Sequence, residues 1–255
     1  MVLTDTHTHL YYETIDEKQI ALMDRCLDSG VSRLFLPNVD AASVLFINKL
    51  VNAYPANCYA MLGLHPCSVK PGWEQELDTI MAGVDLFKIY AVGEIGIDLY
   101  WDKTFLDEQV AAFKKQISLA KQLNLPIVIH CRDAFNEVYE VLQQEKDEKL
   151  RGIFHCFTGT LEQAEKIIDL GFYLGIGGVL TYKNAGLDKI LPQIDLKNIV
   201  LETDSPYLSP VPFRGKPNES SYLTYVAQKV AELHQTTVEH VAQITTANSK
   251  LIFDV

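Results

Sequence analysis

IYAVGEIGIDLYWDKTFLDEQVAAFKKQISLAKQLNLPIVIHC (89–131) holds the unit from which the whole chain is built. Residues 89–95 are a short apolar run rich in β-branched and aromatic side chains, the pattern of a buried strand. Residues 105–123 carry Val110, Phe113, Ile117 and Ala120 three or four positions apart, which is one apolar face of a helix. Residues 126–131 return to a β-branched run. Strand, helix and strand in this order imply parallel pairing with the helix as the crossover.

Outward from this stretch the alternation runs to both ends. Strands are expected at 2–9, 33–39, 57–65, 89–95, 126–131, 152–157, 172–178 and 198–204. Asp133 and Thr160 stand where helix N-caps belong, and 219–252 reads as two helices separated near Gln235–Thr237. Near-continuous apolar strands with helical crossovers need a parallel sheet covered on both sides. An open doubly wound sheet would bring a Gly-rich phosphate fingerprint after the first strand. The residues there are THTHL, and YLGIGGVL (173–180) does not fit the fingerprint either. The expected fold class is therefore α/β, a (β/α)8 TIM-type barrel with an additional C-terminal helix, residues 1–255 forming one domain. The Pro-rich stretch SPYLSPVPFRGKPNES (205–220) reads as a loop over the barrel mouth.

Bulk properties narrow the function. With 48% hydrophobic residues the chain can bury a large core, yet no run reaches the ~20 apolar residues of a membrane span. The start MVLTDTHTHL lacks the basic-then-apolar order of a signal peptide, so a cytoplasmic protein with no removable presequence is expected. Five cysteines without a CxxC pair indicate reduced thiols rather than a disulfide framework. A net charge of −11 argues against wrapping duplex nucleic acid and leaves room for an end-only substrate whose charge is met by metal ions.

His7, His9, Glu94, His130, His155 and Asp204 each close an apolar strand-like run, so in a barrel they converge on one mouth. Alternate strand residues share a face, which sets His7 and His9 together with Asp5 one step deeper, there to orient an imidazole or brace the barrel floor. The same parity puts Glu202 inward below Asp204. It also turns Cys131 and Cys156, each directly after a ligand candidate, outward against helices. Imidazole nitrogen with carboxylate oxygen suits Zn²⁺, Mn²⁺, Fe²⁺ or Co²⁺ better than Ca²⁺. With Glu94 bridging, His7, His9 and Asp204 complete one site and His130 with His155 the other. Two ions about 3.5–4 Å apart share a hydroxide and stabilise both oxygens of a displacement, and Asp204 stands to take the water's proton.

The remaining histidines and the arginines read less sharply. His65 sits at mouth level with substrate contact and structural turn both open, while His234 and His240 fall in the C-terminal helices as surface or packing residues. Arg132 and Arg214 carry the guanidinium that pairs with phosphate, though a lone arginine is more often a solvated surface residue. Tyr207 and Phe213 have rings that either stack on a base or anchor their loop.

At these residues the chain resembles the TatD family of metal-dependent deoxyribonucleases, within the amidohydrolase-like barrels. The resemblance runs the full length: DTHTHL at the start, GLHP (63–66), GEIGID (93–98), IHCRDA (129–134), HCFTG (155–159), LETDSPYL (201–208) and RGKPNE (214–219). It implies a two-metal barrel that removes nucleotides from the 3′ end of single-stranded DNA. By position it implies His7, His9, Glu94, His130, His155 and Asp204 as ligands, and His65, Arg132, Arg214 and Lys216 as phosphate-side residues. Cys67 stands where relatives often have a second histidine, and Phe213 where they have histidine or tyrosine. No strand end offers the carboxylated lysine of dihydroorotase-like and phosphotriesterase-like groups; Glu94 takes that place.

The expectation is a cytoplasmic, monomeric deoxyribonuclease with two divalent ions (Zn, Mn, Mg, Co or Fe), acting on single-stranded DNA ends through a metal-bound hydroxide, with no membrane partner. Its rivals are an esterase or amidohydrolase such as an aminoacyl-tRNA deacylase, which needs the same ligands, and a non-catalytic binding barrel, which would not need all six.

Overall fold

A computed structural model describes residues 1–255. Eight parallel strands run in chain order through one sheet: β1 (Leu3–Asp5), β2 (Val31–Leu36), β3 (Cys58–Leu62), β4 (Ile89–Asp98), β5 (Ile127–Arg132), β6 (Gly152–Phe154), β7 (Phe172–Ile176) and β8 (Ile199–Leu201). The helices between them are α1 (Asp16–Asp28), α2 (Ser43–Ala53), α3 (Trp73–Met81), α4 (Leu106–Leu123), α5 (Phe135–Gln144), α6 (Leu161–Asp169) and the short α7 (Leu187–Ile190). After β8 come α8 (Leu223–Leu233) and α9 (Val238–Phe253). This is the (β/α)8 barrel with its additional C-terminal helix. No helix is long and apolar enough to cross a membrane.

The barrel closes at its mouth. Beyond the end of β1, Thr6 N–H donates to Leu201 O (3.0 Å), Asp204 N–H to His7 O (2.9 Å) and His9 N–H to Ser205 O (2.8 Å). The seam between the first and last strands is thus sewn by the segments that carry the HxH pair and Asp204. At the opposite end α9 plugs the barrel. Ile252 and Phe253 pack against Phe35, Met61, Ala91, Val128, Ile153 and Val200, which point inward from six strands, and the rings of Phe253 and Phe35 stack 3.8 Å apart. Burying one such ring is worth about 1.5–3 kcal/mol.

Several expected boundaries move. The ladders of β1, β6 and β8 stop at Asp5, Phe154 and Leu201, short of His7, His155 and Asp204. The apolar runs continue past the sheet because their last residues line the mouth. β4 instead runs three residues beyond 95, to Asp98. Gly96 allows this: its φ is +143°, and a Cβ there would lie 2.0 Å from His130 O on the neighbouring strand. Thr160 caps α6 in a reciprocal capping box with Gln163. Asp133 is not the cap of α5. Its own φ of +53° turns the chain sharply off β5, and Ala134 takes the cap position without a side-chain bond.

Helix α4 buries Phe113, Ile117 and Ala120 as its spacing predicts, and two glutamines besides. Gln116 exchanges hydrogen bonds with the backbone of Leu64, and Gln109 with that of Asp98. These amides fix the points where β3 and β4 leave the sheet.

Candidate metal centre

Glu94 is the hub of the barrel mouth. Its Oε2 faces Nε2 of His7 at 3.2 Å and Nε2 of His9 at 3.8 Å. Its Oε1 faces Nδ1 of His130 at 2.7 Å, Nε2 of His65 at 3.4 Å and Nε2 of His155 at 3.5 Å. Asp204 Oδ1 stands 3.4 Å from His9 Nε2 and 3.8 Å from His7 Nε2. One carboxylate therefore divides its two oxygens between two sets of imidazoles, with Asp204 on the side of the HxH pair.

Outer partners determine which nitrogen each ring presents. Tyr11 donates its hydroxyl proton to Pro37 O (2.7 Å), so it accepts from His9 Nδ1 (2.8 Å), and the lone pair of His9 is left on Nε2, toward Glu94 and Asp204. Glu202 Oε1 lies 3.0 Å from His155 Nδ1, an ion-pair contact outside hydrogen-bond geometry, and His155 Nε2 faces Glu94. Glu202 also accepts from Cys156 N–H at 2.5 Å. His130 is reversed: Nε2 meets Asp98 Oδ2 at 2.8 Å and Nδ1 faces Glu94. Carboxylates or hydroxyls behind ligand histidines are what fixes tautomer and ring angle at metal sites.

His65 differs from these rings. Cys67 N–H donates to its Nδ1 (3.0 Å), so the proton sits on Nε2 and His65 offers the centre a hydrogen-bond donor rather than a lone pair. Asp5 touches no imidazole ring. It accepts from the N–H and hydroxyl of Thr203 (2.9 and 2.5 Å) and from His7 N–H (3.3 Å), tying the two sides of the barrel seam together. Of the two roles the sequence left open for Asp5, the contacts are those of the brace.

The electrostatics follow from burial set against these pairings. Burial alone would raise the Glu94 carboxyl, but the imidazoles of His65, His7 and His155 and the hydrogen bond from His130 hold it well below its usual range. Burial likewise opposes ionised Asp98, yet the bond to His130 and the Trp101 and Tyr100 N–H groups bring it down to about 2. Burial disfavours charge on His155, and Glu202 and Glu94 outweigh it, pushing the ring up to about 10. His7 is shifted the other way, by burial and by His155, whose ring stacks on it at 3.6 Å.

These residues fit a bound cation. His7 is fully buried, its Nδ1 has no partner, and its Nε2 meets Glu94 Oε2 at 3.2 Å only outside hydrogen-bond geometry. Such a group costs free energy unless something takes its lone pair. The triads His7–His9–Glu94 and His7–His155–Asp204 each bring three ligand atoms within 4.8 Å of one another. Nitrogen mixed with carboxylate oxygen is the donor set of first-row divalent metals.

Above the floor opens a cavity of about 600 Å³, walled by His65, Arg132, Trp101, Tyr12, Tyr207 and Leu208 among others. Arg132 lies over the ring of Tyr100 at 3.8 Å. Arg214 and Lys216 do not line the cavity; Arg214 is held over Tyr182 at 3.9 Å. Phe213 stacks on Tyr222 at 4.0 Å, anchoring its loop. Cys131 packs against the core, yet it also borders the cavity, so parity turns it only partly away. Cys156 does not turn wholly away: the strand ends at Phe154, Cys156 takes φ +49°, and it borders the cavity. His234 and His240 stay remote from it. Sequence reasoning missed Asp98 and Tyr11: Asp98 lies beyond the expected end of its strand at 95, and Tyr11 lies past β1 in a tight helical turn, where strand parity does not reach.

The family model described as TatD related DNase matches residues 4–254. The chain belongs to this TatD family. It is similar to a Bacillus subtilis protein named uncharacterized metal-dependent hydrolase YabD, with 40% identity over 253 residues and 99% of each chain covered. It is similar also to the 3′-5′ ssDNA/RNA exonuclease TatD of Yersinia pseudotuberculosis, 32% identical over 241 residues, covering 91% of this chain and 92% of the relative. The crystal structure of YjjV, a TatD homolog from Escherichia coli, superposes with a TM-score of 0.92 at 28% identity, covering 99% of this chain and 98% of that one. As a TatD-family protein the chain is a metal-dependent hydrolase.

Proposed function

We propose that this TatD-family hydrolase removes nucleotides from the 3′ ends of single-stranded DNA, using two divalent ions held about Glu94. The observation that carries the reading is the division of the Glu94 oxygens between two imidazole sets, at the floor of a cavity wide enough for a nucleotide. His7, His9 and Asp204 would hold one ion and His130 with His155 the other, with Glu94 between them. Ions of this kind polarise a phosphoryl oxygen and lower the pKa of water.

The chain's own residues do the rest. Asp204, whose side chain is 15% exposed, reaches the cavity and accepts the proton of the attacking water. His65 presents Nε2–H to a phosphate oxygen. Arg132 pairs with the neighbouring phosphate. Arg214 and Lys216 take a lesser part, meeting strand that extends beyond the cavity. The ion is Mn, Zn, Mg, Co or Fe, and the 1–255 domain works as a monomer in the cytoplasm.

The test is a paired assay of wild type and Asp204→Asn with Mn²⁺ on single-stranded oligonucleotides labelled at either end. The expected result is shortening from the 3′ end by wild type alone. No shortening by a metal-loaded wild type would overturn the reading and direct the search to carbonyl esters such as aminoacyl-tRNA.

A further inference from the structure

The loop leaving β4 carries an aromatic pair that the ligand chemistry does not use. Trp101 is 70% exposed and Tyr100 53%, although Trp101 borders the cavity. Leaving an indole in water forfeits its burial, so the sequence keeps it there against the usual gradient. Its position is not loose. Asp98 Oδ1 accepts the N–H groups of Tyr100 (2.9 Å) and Trp101 (3.1 Å), while Oδ2 of the same carboxylate holds His130. The side chain that fixes a ligand histidine thus also fixes the backbone beneath the indole.

Arg132 completes the arrangement. It is the only lysine or arginine lining the cavity, and aromatic faces hold it rather than a carboxylate: Tyr100 at 3.8 Å and Trp101 at 5.4 Å from its guanidinium carbon. A flat apolar ring beside an unneutralised guanidinium, both at the lip of an acidic and imidazole-lined floor, matches one chemical object: a planar base joined to a phosphate. A base inside a duplex is stacked on both faces and a terminal one is still held by its pair, whereas an unpaired base can turn a face to the indole without breaking a pair.

We propose that Trp101 is a base-stacking residue that grips an unpaired nucleobase next to the scissile phosphate, with Arg132 on that nucleotide's phosphate. This rests on the nuclease reading and extends it by naming a source of preference for single-stranded ends. Tyr12 and Tyr207, on the His9 side of the cavity, are not needed for the grip.

The experiment compares wild type, Trp101→Phe and Trp101→Ala on a short oligonucleotide, on the same oligonucleotide with an abasic 3′ end, and on bis(p-nitrophenyl) phosphate, a phosphodiester without a base. In Trp101→Ala, kcat/KM for the oligonucleotide relative to the base-free ester should fall about tenfold or more, mainly through KM. Trp101→Phe should retain most of the ratio. Removal of the base and removal of the indole should not add, since each abolishes the same contact. With Trp73→Phe, Trp101 is the sole tryptophan of the chain, and its fluorescence should be quenched by a phosphorothioate oligonucleotide. If wild type degrades DNA but the ratio is unmoved and the indole unquenched, the stacking proposal fails alone. If wild type neither degrades nor binds the oligonucleotide, the nuclease reading fails and takes the stacking proposal with it.

Discussion

Asp98 and His130 lie 2.8 Å apart, carboxylate Oδ2 to imidazole Nε2, and this contact presents the ring's other nitrogen to Glu94. Asp98→Asn keeps the shape but replaces a charged acceptor by an amide. Metal affinity should fall about 10- to 100-fold, the usual effect of losing such an outer partner, as read by calorimetric titration with Mn²⁺. Unchanged affinity would mean that His130 needs no orienting group.

Gly175 makes room for Glu202. A Cβ there would sit 2.2 Å from Glu202 Oε2, inside the space that lets the carboxylate reach His155. Gly175→Ala is expected to cost about 1–3 kcal/mol of stability through overpacking and to lower metal affinity as Glu202 shifts. Urea denaturation and metal titration report the two effects separately; loss of stability with intact affinity would uncouple Glu202 from the site.

Tyr11 is fully buried between His9 Nδ1 and the Pro37 carbonyl. Tyr11→Phe leaves that carbonyl and one imidazole N–H without partners, at about 1–3 kcal/mol each. Lower stability accompanied by weaker metal binding is expected; an unaltered melting curve would contradict the tautomer assigned to His9.

Away from the mouth, Arg25 grips both oxygens of Glu219, at 2.6 Å at the nearest, and joins α1 to the loop after β8. Burial alone would raise the Glu219 carboxyl, but the bonds from Arg25 and Ser221 hold it below the ordinary 4.5. A depressed carboxyl stabilises the fold above its unfolded pKa and loses that contribution as pH falls through the folded value. The stability difference between wild type and Arg25→Ala, about 1 kcal/mol for a pair whose arginine is half exposed, should therefore be full at neutral pH and close below pH 4.5. Urea curves at pH 7 and at acid pH read it, and a gap that persists in acid would sink the assignment.

Most of this architecture is written in hydrophobic period, because buried parallel strands have to be apolar on both faces and crossover helices on one. The ligand candidates were legible for the same reason: strand parity holds for His7 and His9 past the end of the ladder, since the barrel seam keeps that backbone paired to the segment after β8. What was hidden depends on tertiary contact. The extension of β4 to Asp98 is permitted by the approach of His130 O to Gly96, which no local pattern announces. The stacking of Arg214 on Tyr182 joins two loops about thirty residues apart, and the turn at Cys156 overrides alternation once the strand has ended.

Anomalous diffraction from crystals soaked in Mn²⁺ would show whether Glu94 stands between two metal ions. The expected map has two peaks about 3.5–4 Å apart, one against Glu94 Oε2 with His7, His9 and Asp204, the other against Oε1 with His130 and His155. A single peak, or a pair that leaves Glu94 uncoordinated, would contradict that placement.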